Sequence, residues 1–138
     1  MKPILLILIP LVIASCSQSS NLSSNLYDGY WAMSPVDNLY RSVKFNKNGT
    51  VDIYDYNCNE SDKSYTLNAI ENYSLTKINN TNFYLSEDNQ SPFAKFSISS
   101  LTSNTLRAKQ IFINDEIIPS INLKYTRSAT AKPICVFN

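Results

Sequence analysis

The chain carries three cysteines and no histidine, which removes most nucleophilic and metal chemistry at the outset. A thiol at Cys58 or Cys135 has no imidazole to take its proton. With only two glycines there is no glycine-rich loop to cradle a phosphate. Asp55-Tyr56-Asn57-Cys58-Asn59-Glu60 puts oxygen ligands at the first, third and fifth positions of a calcium loop. However, Glu60 stands where glycine is required, and Thr66 stands where a bidentate glutamate closes the site. Glu87 and Asp88 are adjacent acids in a turn, a pattern that is ordinarily solvated. These residues lead to the expectation of a chain that is not an enzyme, with no catalytic residue, metal ligand or cofactor of its own.

The cysteine with chemistry to offer is Cys16. Lys2 is followed by an apolar run from Ile4 to Ile13, broken only by Pro10, and then by Ala14 and Ser15. A run of about ten residues is too short to span a bilayer and reads as a signal peptide over 1–15. Ile13-Ala14-Ser15-Cys16 resembles the lipobox of bacterial lipoproteins. The resemblance implies that Cys16 receives a diacylglycerol, becomes the new N terminus and holds the chain on a membrane by a covalent lipid, since two or three acyl chains anchor stably where one does not. Ordinary cleavage after Ser15 would instead leave Cys16 as a free thiol. Ser17 occupies the position where an aspartate would retain a Gram-negative lipoprotein in the inner membrane. The expected location is therefore the cell envelope, on the outer membrane if the cell has one. Residues Ser17 to Asn25 are almost entirely Ser, Asn and Gln, with only Leu22 apolar, so 16–26 read as the lipidated cysteine and a solvated tether of roughly 15 to 20 Å.

Twelve basic and eleven acidic side chains come into balance once Lys2 leaves with the signal peptide. They are scattered without a run, which speaks against nucleic acid and anionic lipid surfaces as partners. Residues 27–138 suit one domain with one core. Export places Cys58 and Cys135 in an oxidising compartment, where a disulfide between them is the default. Such a bridge closes a loop worth about 4 kcal/mol on the chain-entropy model.

What must position these residues is a set of short strands. From Tyr30 onward the apolar period is two and turn residues recur every eight to twelve positions or so. Strands are expected at 30–34, 39–46, 50–56, 64–69, 72–78, 82–86, 93–99, 105–113 and 120–127. In Val43-Lys44-Phe45-Asn46-Lys47-Asn48-Gly49-Thr50-Val51-Asp52-Ile53, Asn48-Gly49 supplies the positive φ of a tight hairpin. Such a meander must close or protect its edges. The expected fold is all-β, a small antiparallel meander barrel of about eight strands. Its inward side chains would be Val43, Phe45, Val51, Ile53, Leu75, Leu85, Phe96, Ile98, Leu106, Ile121, Leu123 and Tyr125. Asp52, Tyr54 and Tyr56 would then face outward. With Tyr65 and Tyr73 they suggest an aromatic surface patch or plain cross-strand packing.

Gly29-Tyr30-Trp31, the Val43 to Thr50 hairpin, Ser64-Tyr65-Thr66-Leu67, Phe96 to Thr102 with Leu106, and Leu123-Lys124-Tyr125-Thr126-Arg127 together resemble the small lipocalin-like domains of bacterial lipoproteins. The resemblance implies that Trp31 closes the barrel base and that Arg127 packs across it, a structural pair. It also raises a carrier of a small apolar ligand, with the pocket at the open end of the barrel. The leading expectation is a non-catalytic interaction module that binds an envelope protein through its loops, first among them Asn57 to Lys63 and Asp88 to Pro92. Within that class an inhibitor or immunity role stays open.

Overall fold

The computed structural model describes residues 22–135; Cys16 and the signal segment lie outside them. Helix α1 (Leu22–Leu26) precedes eight strands: β1 (Tyr30–Ala32), β2 (Leu39–Phe45), β3 (Thr50–Cys58), β4 (Tyr65–Lys77), β5 (Asn82–Ser86), β6 (Ala94–Leu101), β7 (Thr105–Phe112) and β8 (Ser120–Ser128). Each strand pairs antiparallel with the next, and β8 returns to β1, closing a barrel in sequence order. This is the expected meander, and its closure is consistent with a lipocalin-like barrel.

Two stretches expected as separate strands, 64–69 and 72–78, form the single strand β4. The register against β3 slips between Asp55 and Tyr56, with Ala69 opposite Asp55 and Leu67 opposite Tyr56, so Asn68 is an extra residue in the ladder. A bulge reverses the phase of side-chain alternation. Leu67 and Ile70 therefore share the outer surface, and the interrupted period mimics a strand break.

Because the strands form a meander, alternate turns lie at the same end of the barrel. The turns at 46–49, 78–81 and 102–104 make one end, the base, together with α1. The segments 33–38, 59–64, 87–93 and 113–119 make the other, the mouth. At the base, Asn48 Oδ1 accepts from the Thr50 N–H at 3.2 Å, and Gly49 takes φ +84°. The tether expected through residue 26 instead gives way at Leu22 to α1, and Leu26 is buried in the core. A five-residue helix leaves its last carbonyls without intrahelical donors. Here the Trp31 Nε1–H donates to the Leu26 carbonyl at 2.8 Å, and Arg127 Nη2 donates to the Asn25 carbonyl at 2.8 Å. The Arg127 guanidinium also sits 5.2 Å from the Trp31 ring centroid. Gly29, at φ +72°, lies so close to β8 that a Cβ there would meet the Ser128 carbonyl oxygen at 2.9 Å.

Above this clasp the interior is occupied by Phe45, Phe96, Leu106, Val51, Leu75, Leu85 and Leu123, with Phe45 and Phe96 rings 5.5 Å apart. Ile53 and Ile121 also face inward, Ile53 packed against this core and Ile121 in phase with Leu123, but Ile53 is only half-buried and Ile121 is 36% exposed, because both lie toward the mouth. After β8 the chain turns back along the outside to Cys135, which is bonded to Cys58 with Cα atoms 5.5 Å apart. The disulfide draws this tail over Tyr40 and Tyr56, forming a second, outer apolar cluster. Tyr56, expected on the wet face, is thereby only 8% exposed.

Candidate functional site

Period two puts Arg41 in phase with inward Val43, and Asp55 in phase with inward Val51. Their register across β2 and β3 sets them directly opposite each other. Arg41 Nε and Nη2 donate to Asp55 Oδ1 and Oδ2 at 2.7 and 2.6 Å, a two-pronged pair just inside the mouth. The hydrogen bond to Asp55 raises the Arg41 pKa further above its ordinary value. Below the pair, burial pushes the Tyr125 hydroxyl up to about 12, with Arg41 opposing and Asp55 reinforcing the shift. Tyr73, on the same inner surface, is raised by burial and then by Glu71; its ring meets Phe93 edge-on at 5.0 Å. The floor of the mouth is thus polar and charged, although the barrel below it is apolar.

Over this floor lies a cavity of about 260 Å³. Its walls are Met33, Val36, Leu39, Ile121 and Leu123, with Arg41, Asp55 and Asn68 as polar groups. That is below the range of roughly 300 to 1,000 Å³ usual for drug-sized ligands. Two other depressions are surface features. One lies beside the disulfide at Asn38, Cys58, Asn59, Glu60 and Ser61, and one lies under the tail at Ala32, Pro35, Tyr40 and Ile134.

The rim is formed by the four mouth segments, and their composition is lopsided. Asp37 stands in the first, Glu60 and Asp62 in the second, Glu87 and Asp88 in the third, and Asp115 and Glu116 in the fourth; the one basic residue among them is Lys63. All seven carboxylates are exposed. The three turns at the base contain no acid. Each mouth segment also holds one non-glycine residue at positive φ: Asp37, Lys63, Asn89 and Asn114. Asn and Asp tolerate that conformation better than other side chains. Asp62 is held below the usual carboxylate range chiefly by the Ser64 side chain and backbone N–H. Between the acids stand exposed aliphatic side chains, Val36 at 64% and Ile117 at 92%, with Leu39 and Ile118 beside them. The Ile117 and Ile118 N–H groups both donate to Asp115 Oδ1 at 2.9 Å, which folds the tip so that both isoleucines point outward.

The loops singled out from sequence, Asn57 to Lys63 and Asp88 to Pro92, therefore meet at one end. Asp55, the first residue of the calcium-like spacing, turns inward to Arg41 and away from Asn59 and Glu60. The tyrosines divide. Tyr54 packs edge-on with Tyr30 at 6.1 Å, Tyr56 lies between Tyr40 and Tyr65 under the tail, and Tyr73 faces inward. Arg41 and Asp55 were missed by sequence reasoning, although two charged residues at inward positions facing each other across a hairpin were there to be found. The carboxylate rim was missed because its members are far apart in sequence; its signal is that acids occupy every second turn. Neither a protein-family model, nor a curated protein, nor a solved structure matches the chain.

Proposed function

We propose that the chain is a lipid-anchored envelope protein whose barrel serves as a non-catalytic docking module, with the mouth segments as its binding face. The observation that carries this is the contrast between the two ends. The base is plugged by α1, Trp31 and Arg127, and the interior is filled. The mouth holds aliphatic side chains out into water on defined turns. Apolar side chains gathered on one exposed surface mark interaction sites more often than chance. The lipobox resemblance at Cys16 supports the anchor. Since Cys16 comes shortly before α1, an acyl group there would draw the base toward the bilayer and leave the mouth facing away.

The test is a photo-crosslinking side chain placed in intact cells at Ile117 or Val36, with Lys109 on the outer surface of β7 as control. A discrete crosslinked species from the mouth positions and none from Lys109 is expected. No adduct from any mouth position would remove the proposal. In parallel, Cys16→Ser should move the protein from the membrane to the soluble fraction.

A second reading, a carrier of a small apolar ligand, is favoured by the aliphatic walls of the 260 Å³ cavity. The Arg41–Asp55 pair at its floor weighs against it, because an apolar ligand there would desolvate the charges without replacing their water. Native mass spectrometry of the purified protein separates the two: a co-purifying small molecule favours the carrier.

A further inference from the structure

We infer that the mouth docks a cationic, partly apolar polypeptide, with charge selecting the partner; this rests on the docking function proposed above. The chain as a whole is nearly neutral, at +1, yet folding collects seven carboxylates and one lysine at a single end. Like charges so gathered repel and cost stability. Nothing in the barrel architecture requires it, since the base turns connect the same strands without a single acid. One lysine stands against seven carboxylates in the mouth segments, so their summed charge is acidic, and salt screens its field over about 8 Å.

The second observation is independent of charge. Val36 and Leu39 at the first mouth segment and Ile117 and Ile118 in the fourth are exposed at the same end as those carboxylates, and interfaces combine apolar with polar side chains in this way. The Asp115 side chain fixes the Ile117–Ile118 tip before any partner arrives, which lowers the ordering cost of binding. A complementary surface presents lysine or arginine around apolar side chains. Burying the tip in a bacterial bilayer would instead bring the carboxylates against anionic headgroups. A polypeptide is therefore the occupant, steered by the field of the rim.

The experiment uses the mature protein, as isolated from its membrane, in a nonionic detergent and two peptide probes of equal length and equal apolar content, one alternating lysine with leucine and the other glutamate with leucine. The lysine peptide should bind at least about tenfold more tightly than the glutamate peptide at low salt, and should weaken by about tenfold when salt is raised to screen the rim. The combined variant Glu87→Gln, Asp88→Asn, Asp115→Asn and Glu116→Gln keeps the side-chain acceptors, including Oδ1 of residue 115, and should bring the preference within about threefold. Ile117→Ser with Ile118→Ser should weaken the lysine peptide without abolishing its salt dependence. Equal affinity for the two peptides, unchanged binding by the four-residue variant, or attachment of the protein to phosphatidylglycerol vesicles through Ile117 would each overturn the inference. If crosslinks at Ile117 form in cells while the lysine peptide shows no preference, docking stands and charge selection falls. If neither is seen, both fall.

Discussion

Arg127 shows how one side chain can hold an end of a barrel shut. Its guanidinium donates to the Asn25 carbonyl, lies against Trp31 and stands 3.5 Å from Asp28. Asp28 is largely exposed, so that ion pair contributes little; the hydrogen bond and the ring contact carry the stabilisation. Arg127→Ala should therefore lower unfolding free energy by about 2 kcal/mol, and Arg127→Lys by less. Urea titration of the two variants checks the order. Trp31→Ala should cost more, about 3–5 kcal/mol, because it empties the fully buried base as well as removing a bond. Tyr125 makes a prediction about pH. An ordinary tyrosine loses its proton near 10.0, and the folded Tyr125 keeps it to about 12. Between those values the unfolded chain has released the proton and the folded chain has not, so stability is full below pH 10 and falls as pH rises toward 12. Tyr125→Phe should flatten that part of the stability profile. The raised values of Tyr40, Tyr54, Tyr56 and Tyr73 would leave a residual slope.

At the scale of elements, β4 and the C-terminal tail depart most from a plain meander. β4 is the longest strand and pairs with β5 only from Ser74 onward, so Tyr65 to Tyr73 pair with β3 alone. The bulge at Asn68 kinks this open edge, a device that discourages pairing with other chains. Among the described residues the tail contributes no strand, and it is held by Cys58–Cys135 over Tyr40 and Tyr56. Cys135→Ser should lower stability by about 2–4 kcal/mol. Hydrogen exchange should show the loss of protection concentrated in residues 131–135 and in the strand ends they cover, with the ladders around Phe45 and Phe96 keeping theirs. A uniform loss across the barrel would mean that the disulfide is needed for the whole fold.

For the whole molecule the decisive property is the separation of charge between ends. Seven exposed carboxylates at one end repel one another to the extent that salt leaves them unscreened. Thermal stability should therefore rise with added sodium chloride at neutral pH, by up to about 1 kcal/mol as screening sets in over the first few tenths molar. Amidating Glu87, Asp88, Asp115 and Glu116 should remove most of that dependence, as calorimetry would show.

Much of the architecture was legible in the chain itself. Alternation with period two sets the strands and Asn48-Gly49 sets a hairpin, because each depends on short-range geometry, and the expectation of an oxidising compartment led to the Cys58–Cys135 disulfide that the fold contains. The resemblance of Gly29-Tyr30-Trp31 and the Leu123 to Arg127 stretch to lipocalin-like domains implied the paired base that the Arg127–Trp31 contact and the bond to the Asn25 carbonyl display. Sequence could not show that 64–69 and 72–78 are one strand, since a bulge and a break interrupt the alternation alike. Nor could it show that Tyr56 is covered, because the cover is a tail joined to it only through Cys135. Arg41 and Asp55 were legible as inward charges but became a pair only through the register of β2 and β3. The acidic rim belongs to tertiary structure in the fullest sense. Asp37 and Glu116 are remote along the chain, and only the meander, which returns every second turn to the same end of a closed barrel, places both at the mouth.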